Sequence, residues 1–355
     1  MTGDADQLDS PGLSPGDLEQ LAAEFQLGKV HRVSYLAAGM MNRNWRLDCH
    51  SGTVALKQVV DVPVRKLRRS LDVASALARQ GLPVCAPRAT ASGDVLADVG
   101  GGTYCVVPWA AGIHREGATL RVREAEWLGR LLGEIHQALA LPGTGLEPLV
   151  ETPRAKVTAP ARALAEADRY LSVIAGLPTR SDFDAATAAL LEQRRKLLAE
   201  YADYRPRTEM PRGPVGWTHG DFQPLNLLWA GQQVVAVLDW DRLGVRPYAE
   251  EVVRTAQVQF GTEAGELDLP RVAAFVSGYR ALVPVDEESL ADAADRLWWK
   301  RMTDYWQLQW HYDKGDHGPD GLWLSGEHRL AWWTHEKGTV RGAFTGQAPP
   351  EPAAH

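Results

Sequence analysis

The spacing of apolar residues divides the chain into a strand-rich first part and a helix-rich second part. Residues 31–38, 44–49 and 54–60 alternate apolar and polar positions, as β-strands with one buried face do. Residues 64–80 repeat apolar positions at helical spacing and stop at Gly81, a residue type that commonly follows a helix. The pattern predicts a small twisted sheet with one inserted helix near the start of the chain.

Helices are predicted on both sides of this sheet. Ser14, Pro15 and Asp17 indicate a helix start, with a capping side chain, a proline in the first turn and an acid near the positive end of the helix dipole. From Glu124 onward the apolar spacing is again helical, and this part includes the tryptophan-rich residues 297–314. A sheet-rich part followed by a mostly helical part indicates an α+β fold.

A short apolar hairpin interrupts the second part at "WTHGDFQPLNLLWAGQQVVAVLDWD". Residues 225–229 and 234–240 have the composition of two antiparallel strands joined by a tight turn. Asn226 opens the first strand and Asp239 closes the second, so both are expected at the same end of the hairpin. Asp221 lies on the loop that enters it. An amide oxygen and two carboxylates are therefore expected to converge.

This set of oxygen donors suits Mg²⁺, which prefers hard ligands. Zinc is not expected at the hairpin, because it has no cysteine and no second histidine at ligand spacing. Phosphoryl transfer uses such a set: one acid orients or deprotonates the attacking hydroxyl, while another acid and an asparagine hold Mg²⁺ on the nucleotide phosphates. The alternative is an acidic turn beside a core strand, which any one of these residues alone would favour.

The letters "HGDFQPLN" followed by "VLDWD" resemble the aminoglycoside phosphotransferase-like family of small-molecule kinases. The resemblance runs from about Ser34 to the C-terminal helices and is strongest over residues 219–241. It implies that Asp221 is the catalytic base or orients the acceptor hydroxyl. It also implies that Asn226 and Asp239 are the Mg²⁺ ligands. Two neighbours have less specific roles: His219 is expected to brace the loop, and Asp241 either assists the metal or caps the next element.

The first part of the chain is similar to the nucleotide-binding half of the same family. In "LAAGMMNRNWRL", Gly39 would let the backbone approach the phosphates, and Asn42 or Asn44 would shape the turn. Lys57, on an alternating strand, matches the lysine that binds phosphate. Its sequence position thereby outweighs the alternative of a solvent-facing lysine.

Two further features follow from the resemblance. The carbonyl of Pro108 and the N–H of Ala110 are expected to read the adenine of ATP, or the guanine of GTP, at the hinge after a strand. Family members commonly pair the lysine with a glutamate on the inserted helix, but this chain has Ser70 near that place and Asp72 close by. Whether Asp72 replaces the glutamate as the partner of Lys57 stays open at this point.

The family implies a protein-kinase-like fold with two lobes. We expect a nucleotide-binding N-lobe over residues 15–112 and a helical C-lobe with the catalytic and acceptor sites over residues 113–345. Residues 1–14 and 346–355 are polar or proline-rich and are expected to be disordered tails.

Tryptophans offer candidates for acceptor binding, since seven of the thirteen lie between Trp298 and Trp333. Trp299, Trp306 and Trp310 are spaced to share one face of a single helix. Core packing is the more common role of a buried tryptophan, but a ring in a pocket stacks on sugars, bases or cations. The acceptor candidates are Trp306, Trp310, Asp304 and Glu263.

Composition narrows the classes of function. A net charge of −7 opposes general nucleic-acid binding, which needs a basic surplus. No apolar run is long enough to span a bilayer, and the first residues lack the features of a signal peptide, so no membrane partner is expected. Cys49, Cys85 and Cys105 show neither metal nor disulfide spacing, which indicates a cytoplasmic protein.

The sequence thus predicts a kinase that transfers the γ-phosphoryl group of a nucleoside triphosphate to a hydroxyl of a small molecule. The leading hypothesis for the acceptor is an antibiotic, such as an aminoglycoside, nucleoside or peptide antibiotic, in resistance or self-protection. One alternative is a metabolic kinase for an amino sugar, nucleoside, homoserine or choline-like compound. An alternative of another class is a pseudokinase, which binds nucleotide without turnover.

Overall fold

The computed structural model describes residues 12–36, 42–60, 62–149 and 151–346. Its strands are β1 (Val30–Leu36), β2 (Arg43–Cys49), β3 (Gly52–Val59), β4 (Ala97–Val99), β5 (Gly102–Pro108), β6 (Val215–Thr218), β7 (Leu227–Ala230), β8 (Gln233–Val237) and β9 (Gly244–Pro247). Its helices are α1 (Pro15–Glu24), α2 (Val64–Arg79), α3 (Val122–Leu139), α4 (Pro160–Ala175), α5 (Asp182–Glu200), α6 (Tyr248–Gln259), α7 (Leu269–Arg280), α8 (Glu287–Thr303), α9 (Trp306–Leu308), α10 (Asp320–His335) and α11 (Lys337–Thr345).

The chain forms two compact units. The first unit is Met1–Arg115, Ile135–Pro148 and Trp217–Gly244. The second unit is Glu116–Glu134, Leu149–Gly216 and Val245–His355. The hairpin of β7 and β8 thus belongs to the first unit together with the N-terminal sheet, and the predicted lobe boundary after residue 112 stays a prediction.

A five-stranded antiparallel sheet in the order β1-β2-β3-β5-β4 forms the centre of the first unit. Alternating residues of β2 and β3 are buried, and Trp45, Leu56 and Val106 are fully enclosed in one core. The N-terminal helix packs on this core through Leu18 and Leu21. The alternation seen in the sequence therefore predicted β1, β2 and β3 correctly, and the sheet is completed by β5 and by β4, which is only three residues long.

The start of α1 and the end of α2 follow from local chemistry. The Ser14 hydroxyl accepts the Asp17 N–H at 3.1 Å and caps α1. Gly81 follows α2 with a φ of +85°, a backbone conformation that glycine adopts without strain. Leu13, inside the predicted tail, is buried in the core, while residues 1–11 and 347–355 lie outside the described residues.

The second unit is helical. The pairs that pack together include α4 with α5, α6 with α8, and α11 with both α7 and α8. Trp298, Trp299 and Trp323 are almost completely buried between these helices. Within the described ranges, no helix is both long enough and apolar enough to cross a membrane.

The predicted single helix over residues 297–314 is wrong. The α8 helix ends at Thr303, the backbone of Asp304 is extended, and the short α9 continues as a π-helical turn over Gln309–Asp313. The break has a local cause, because the Asp304 carboxylate accepts the N–H of Trp306 at 3.2 Å and competes with helical bonding. Trp299 therefore does not share one helix face with Trp306.

Candidate active site

The hairpin places its polar residues at one end, as predicted. Leu227 at the start of β7 pairs with Val237 at the end of β8. Asn226 closes a 3₁₀ turn just before β7, and its carbonyl accepts the N–H of Leu238 at 2.8 Å. Asp239 follows directly, so Asn226 and Asp239 leave the hairpin side by side.

Asp221 is held against the same end of the hairpin. The Asn226 amide nitrogen donates to the Asp221 carbonyl at 2.8 Å and to its carboxylate at 3.2 Å. The Gln223 side-chain amide donates to the same carboxylate oxygen at 2.9 Å. These bonds fix the carboxylate relative to Asn226. The contribution of Gln223 was missed, although it lies within the motif that pointed to Asp221.

His219 braces this loop from within the core. The ring is fully buried, its Nε2 lies 2.9 Å from the carbonyl of Leu238, and its Nδ1 accepts the Asp221 N–H at 3.2 Å. These partners require the tautomer with hydrogen on Nε2. Both ring nitrogens are engaged with the backbone, which favours the bracing role over acid–base chemistry.

A second histidine supports the hairpin and was not predicted. The Nδ1 of His114 lies 3.1 Å from the carbonyl of Leu227 and 3.3 Å from that of Pro224. It thereby ties the segment after β5 to the turn that carries Asn226. Nothing at the sequence level singles out this residue, since the contact joins positions far apart in the chain.

Lys57 extends from β3 to the acids of the hairpin. Its Nζ lies 3.1 Å from Asp239 Oδ1 and 2.7 Å from Asp241 Oδ2, and its side chain is 20% exposed. Burial alone would lower the pKa of Lys57, but the two carboxylates outweigh it and raise that pKa. The sequence left open whether Asp72 pairs with Lys57: among the described contacts, Lys57 pairs with Asp239 and Asp241, and Asp72 is exposed.

Ser70 lies near the position where family members commonly have a glutamate. Ser70 is buried on α2, and its hydroxyl donates to the Lys66 carbonyl one turn earlier at 3.1 Å. A serine at this position is too short to reach beyond its own helix. The acids of the hairpin neutralise the lysine instead.

Asp241 proves to be a central member of the cluster. Its carboxylate accepts from Lys57 and, at 3.2 Å, from the Asn42 amide, whose oxygen accepts the Val60 N–H at 3.0 Å. Burial and the neighbouring Asp239 raise the pKa of Asp241, although Lys57 acts in the opposite direction. For Asp239, burial raises the pKa, but Lys57 outweighs burial and holds it below its usual range.

The backbone of Asp239 is unusual. Its φ of 59° and ψ of 71° lie in the left-handed region, where, in the described chain, Gln26 is the other residue besides glycine with positive φ. This conformation costs about 1–3 kcal/mol for a residue with a side chain. The turn directs the carboxylate towards Lys57.

The donor set fits a hard dication. Carboxylates of Asp239 and Asp241 and the amide of Asn226 supply oxygen, and the nearby imidazole of His219 is engaged elsewhere. One ammonium faces two carboxylates, so the cluster retains negative charge. Such a set of oxygen donors with excess negative charge suits Mg²⁺.

The other nucleotide-binding candidates are only partly described. Gly39 lies outside the described residues. Asn42 shapes the chain beside Asp241, as given above. At the hinge, β5 ends at Pro108, the Trp109 N–H donates to the Thr53 carbonyl at 3.1 Å, and Ala110 follows outside the strand. Adenine recognition by Pro108 and Ala110 stays a prediction.

The second unit contains a pocket of about 210 Å³ between α4 and the break after α8. Its lining includes Lys156, Arg162, Glu166, Asp304 and Trp306. Trp306 and Asp304 are thus brought together in one pocket, and two bases and two acids line it.

The remaining acceptor candidates lie elsewhere. Trp310 meets the edge of Trp306 at a centroid distance of 6.1 Å and carries the Lys314 ammonium over its ring. Trp299 is a core residue, and its indole nitrogen donates to the Thr158 carbonyl at 3.0 Å. Glu263 is exposed in the turn between α6 and α7.

A cluster of half-buried arginines in the second unit, Arg254, Arg301 and Arg329, was not predicted. Arg301 donates to the Gln257 side chain at 2.7 Å, while Nε of Arg301 and Nε of Arg329 are buried and have no acceptor among the described residues. Burial, followed by the charges of Arg254 and Arg329, lowers the pKa of Arg301 to about 10. The group stays charged at neutral pH. The three arginines have no recognisable spacing in the sequence, so no motif could have revealed them.

Residues 32–287 match the model of the phosphotransferase enzyme family, APH. A homoserine kinase of Polaromonas naphthalenivorans is 25% identical over 287 residues, which cover 79% of this chain and 84% of that kinase.

Solved structures show the likeness in fold. An aminoglycoside phosphotransferase from Alicyclobacillus acidocaldarius has a TM-score of 0.65 at 14% identity, covering 94% of this chain and 98% of its own. A spectinomycin phosphotransferase in complex with ADP and spectinomycin has a TM-score of 0.61 at 14% identity, covering 92% and 99%.

The fold is thus the protein-kinase-like fold, with a small antiparallel sheet and a mostly helical remainder, and the protein is a phosphotransferase with an alcohol group as acceptor. The chain belongs to the phosphotransferase enzyme family whose model spans most of its length. The fold class and the family predicted from the sequence are confirmed.

Proposed function

We propose that the protein is a Mg²⁺-dependent kinase that transfers the γ-phosphoryl group of ATP or GTP to a hydroxyl of a small acceptor bearing a carboxylate. The observation that carries the kinase chemistry is the contact of Lys57 with Asp239 and Asp241, beside a loop on which Asn226 holds Asp221. This is the set of groups that phosphoryl transfer requires.

Each residue has a defined part in this proposal. Asp221 orients the acceptor hydroxyl and takes its proton as the phosphoryl group is attacked. Asp239 and Asn226 hold Mg²⁺, which when bound neutralises charge on the phosphates. Lys57 donates to the phosphates, while Asp241 keeps its ammonium in place.

Nucleotide binding completes the site. Gly39 and Asn42 cover the phosphates, and Pro108 and Ala110 bind the base through their backbone atoms. The pseudokinase alternative rested on the missing helix acid, and it loses support because two carboxylates contact Lys57.

The arginine cluster supports an acceptor with negative charge. Guanidinium nitrogens of Arg301 and Arg329 are buried without an acceptor in the described chain. Leaving charged donors unpaired is costly, and a bidentate carboxylate is the ligand that satisfies such groups best. A polycationic antibiotic would instead be repelled. The small pocket in the same unit, with two bases and two acids, also suits a zwitterion.

A hydroxy amino acid such as homoserine fits these requirements and agrees with the kinase relatives. Their match covers 79% of this chain, though at 25% identity. The second candidate is an antibiotic acceptor, supported by the likeness in fold to spectinomycin phosphotransferase. We also propose a cytoplasmic enzyme with no nucleic-acid partner, in line with the net charge of −7.

One experiment separates the candidates. ADP or GDP release is measured with homoserine, other hydroxy amino acids, choline, amino sugars, nucleosides, spectinomycin and aminoglycosides, and the phosphorylated product is identified by mass spectrometry. We expect turnover with a hydroxy acid or hydroxy amino acid that the matched amide or amino alcohol does not support. Preferential phosphorylation of a cationic antibiotic would contradict the carboxylate proposal and retain the kinase assignment.

A further inference from the structure

Two histidines and an aspartate converge in the second unit without a part in the proposed transfer. His311 lies in the π-helical turn, His317 lies in the following loop, and Asp320 is the first residue of α10. In the part of the chain that the structure describes, one ligand atom from each lies within 4.8 Å of the other two.

The separations match those of a tetrahedral metal site. His311 Nδ1 lies 3.0 Å from Asp320 Oδ2 and 3.0 Å from His317 Nδ1. His317 Nδ1 lies 3.6 Å from Asp320 Oδ2. Bonds of about 2.0–2.1 Å to a tetrahedral zinc ion place neighbouring ligand atoms about 3.3 Å apart. The three edges of this triangle lie on either side of that value.

Hydrogen bonds alone do not account well for the close approach of these three side chains. His311 Nδ1 faces Asp320 Oδ1, Asp320 Oδ2 at 3.0 Å and His317 Nδ1. A ring nitrogen carries at most one hydrogen, so it cannot serve three acceptors well. If both nitrogens carried hydrogen, two donors would face each other. A metal ion instead takes a lone pair from each of the three groups at once.

We propose that His311, His317 and Asp320 bind a divalent metal ion of the zinc type. Two imidazoles and one carboxylate form a ligand set that suits Zn²⁺, Co²⁺ or Ni²⁺ far better than Mg²⁺. The His317 side chain is 66% exposed, so the ion can enter from solvent and complete its coordination with water.

The ion would join the end of a pocket-lining segment to a helix. Trp306 and Gln309 line the pocket of the second unit, and the turn that begins at Gln309 carries His311. Linking His311 to Asp320 closes the loop between this turn and α10. Because the site forms only in the folded chain, bound metal stabilises that fold.

The test is equilibrium dialysis of the tag-free full chain against Zn²⁺, after chelation and with excess Mg²⁺ to fill oxygen-ligand sites. We expect about one Zn²⁺ per chain, and visible absorption typical of tetrahedral geometry when Co²⁺ replaces Zn²⁺. His317→Ala and His311→Asn should each weaken Zn²⁺ binding by about tenfold or more. Zn²⁺ should also raise the Tm of the wild type more than that of His317→Ala.

His335→Ala is the matched control, since His335 is 85% exposed and lies outside the cluster. It should bind Zn²⁺ as the wild type does. The proposal is overturned if the wild type binds no Zn²⁺, if His317→Ala binds it equally well, or if His335→Ala loses it to the same extent. Because the His317 side chain is exposed, the His317→Ala variant is expected to fold, so lost Zn²⁺ binding would not come from misfolding. Circular dichroism of the variant checks this directly.

Discussion

The two charged clusters of this protein are unbalanced in opposite directions. In the first unit, the Lys57 ammonium contacts the carboxylates of Asp239 and Asp241. In the second unit, burial and then the positive charges of Arg254 and Arg329 lower the pKa of Arg301. The first cluster has an excess of acids, whereas in the second Nε of Arg301 and Nε of Arg329 have no hydrogen-bond acceptor among the described residues. Under the proposed function, a metal ion on nucleotide phosphates would bind at the first cluster and an acceptor carboxylate at the second.

The largest effect is expected at Asp221, which acts on the reaction itself. Asp221→Asn keeps the size of the side chain but removes the base, so kcat should fall by about a hundredfold or more. Nucleotide affinity should stay close to that of the wild type. Steady-state kinetics and calorimetry measure the two quantities, and a variant with more than about a tenth of the wild-type kcat would remove Asp221 from this role.

Removing an acid from the first cluster should weaken binding of the metal with the nucleotide. Asp239→Ala should lower both Mg²⁺-nucleotide affinity and activity by about tenfold or more, because charge-assisted contacts are the strong ones. Asn226→Ala should have a smaller effect, since an amide oxygen holds a dication less strongly than a carboxylate. Unchanged calorimetric binding in Asp239→Ala would disprove the metal assignment.

Removing the base from the same cluster tests the charge balance. Lys57→Ala should lower kcat/KM for the nucleotide by about tenfold, the loss expected for a hydrogen bond to a charged group. It should also lower the Tm, because Asp239 and Asp241 then face each other without a cation. Wild-type kcat/KM for the nucleotide would show that Lys57 does not reach the phosphates.

The second cluster should respond in the opposite way. Arg301→Gln should raise the KM for a carboxylate-bearing acceptor by about tenfold. The Tm of the enzyme without acceptor should stay level or rise, because the substitution relieves repulsion from Arg254 and Arg329. Arg341→Gln, at a side chain that is 52% exposed, is the control and should change neither. A lower Tm with an unchanged acceptor KM would assign Arg301 to structure alone.

The smallest effects are expected from the tryptophans. Trp306→Phe should raise the acceptor KM by a few-fold with little change in Tm, since the ring lines the pocket. Trp299→Phe should lower the Tm and leave the acceptor KM alone, because its indole is buried and bonded to Thr158. If both variants lower only the Tm, the pocket does not bind the acceptor.

The sequence was most informative where the chain constrains itself locally. A tight hairpin brings its two ends together, so Asn226 and Asp239 could be placed from their positions alone. The helix of tryptophans failed for an equally local reason, the bond from the Trp306 N–H to the Asp304 carboxylate. The contact of Lys57 with Asp241 spans 184 positions, and no local pattern predicts it. The arginine cluster likewise depends on the packing of distant helices.

The left-handed backbone at Asp239 sets stability against activity. Glycine would adopt its φ of 59° without strain, and the Lys57 contact that glycine would lose involves a carboxylate that is 40% exposed. An Asp239→Gly enzyme would therefore melt at a higher temperature while being catalytically impaired. Selection for heat resistance alone would favour replacing this residue, and selection for turnover would preserve it. A thermostabilised variant of this protein should be screened for kinase activity at that position first.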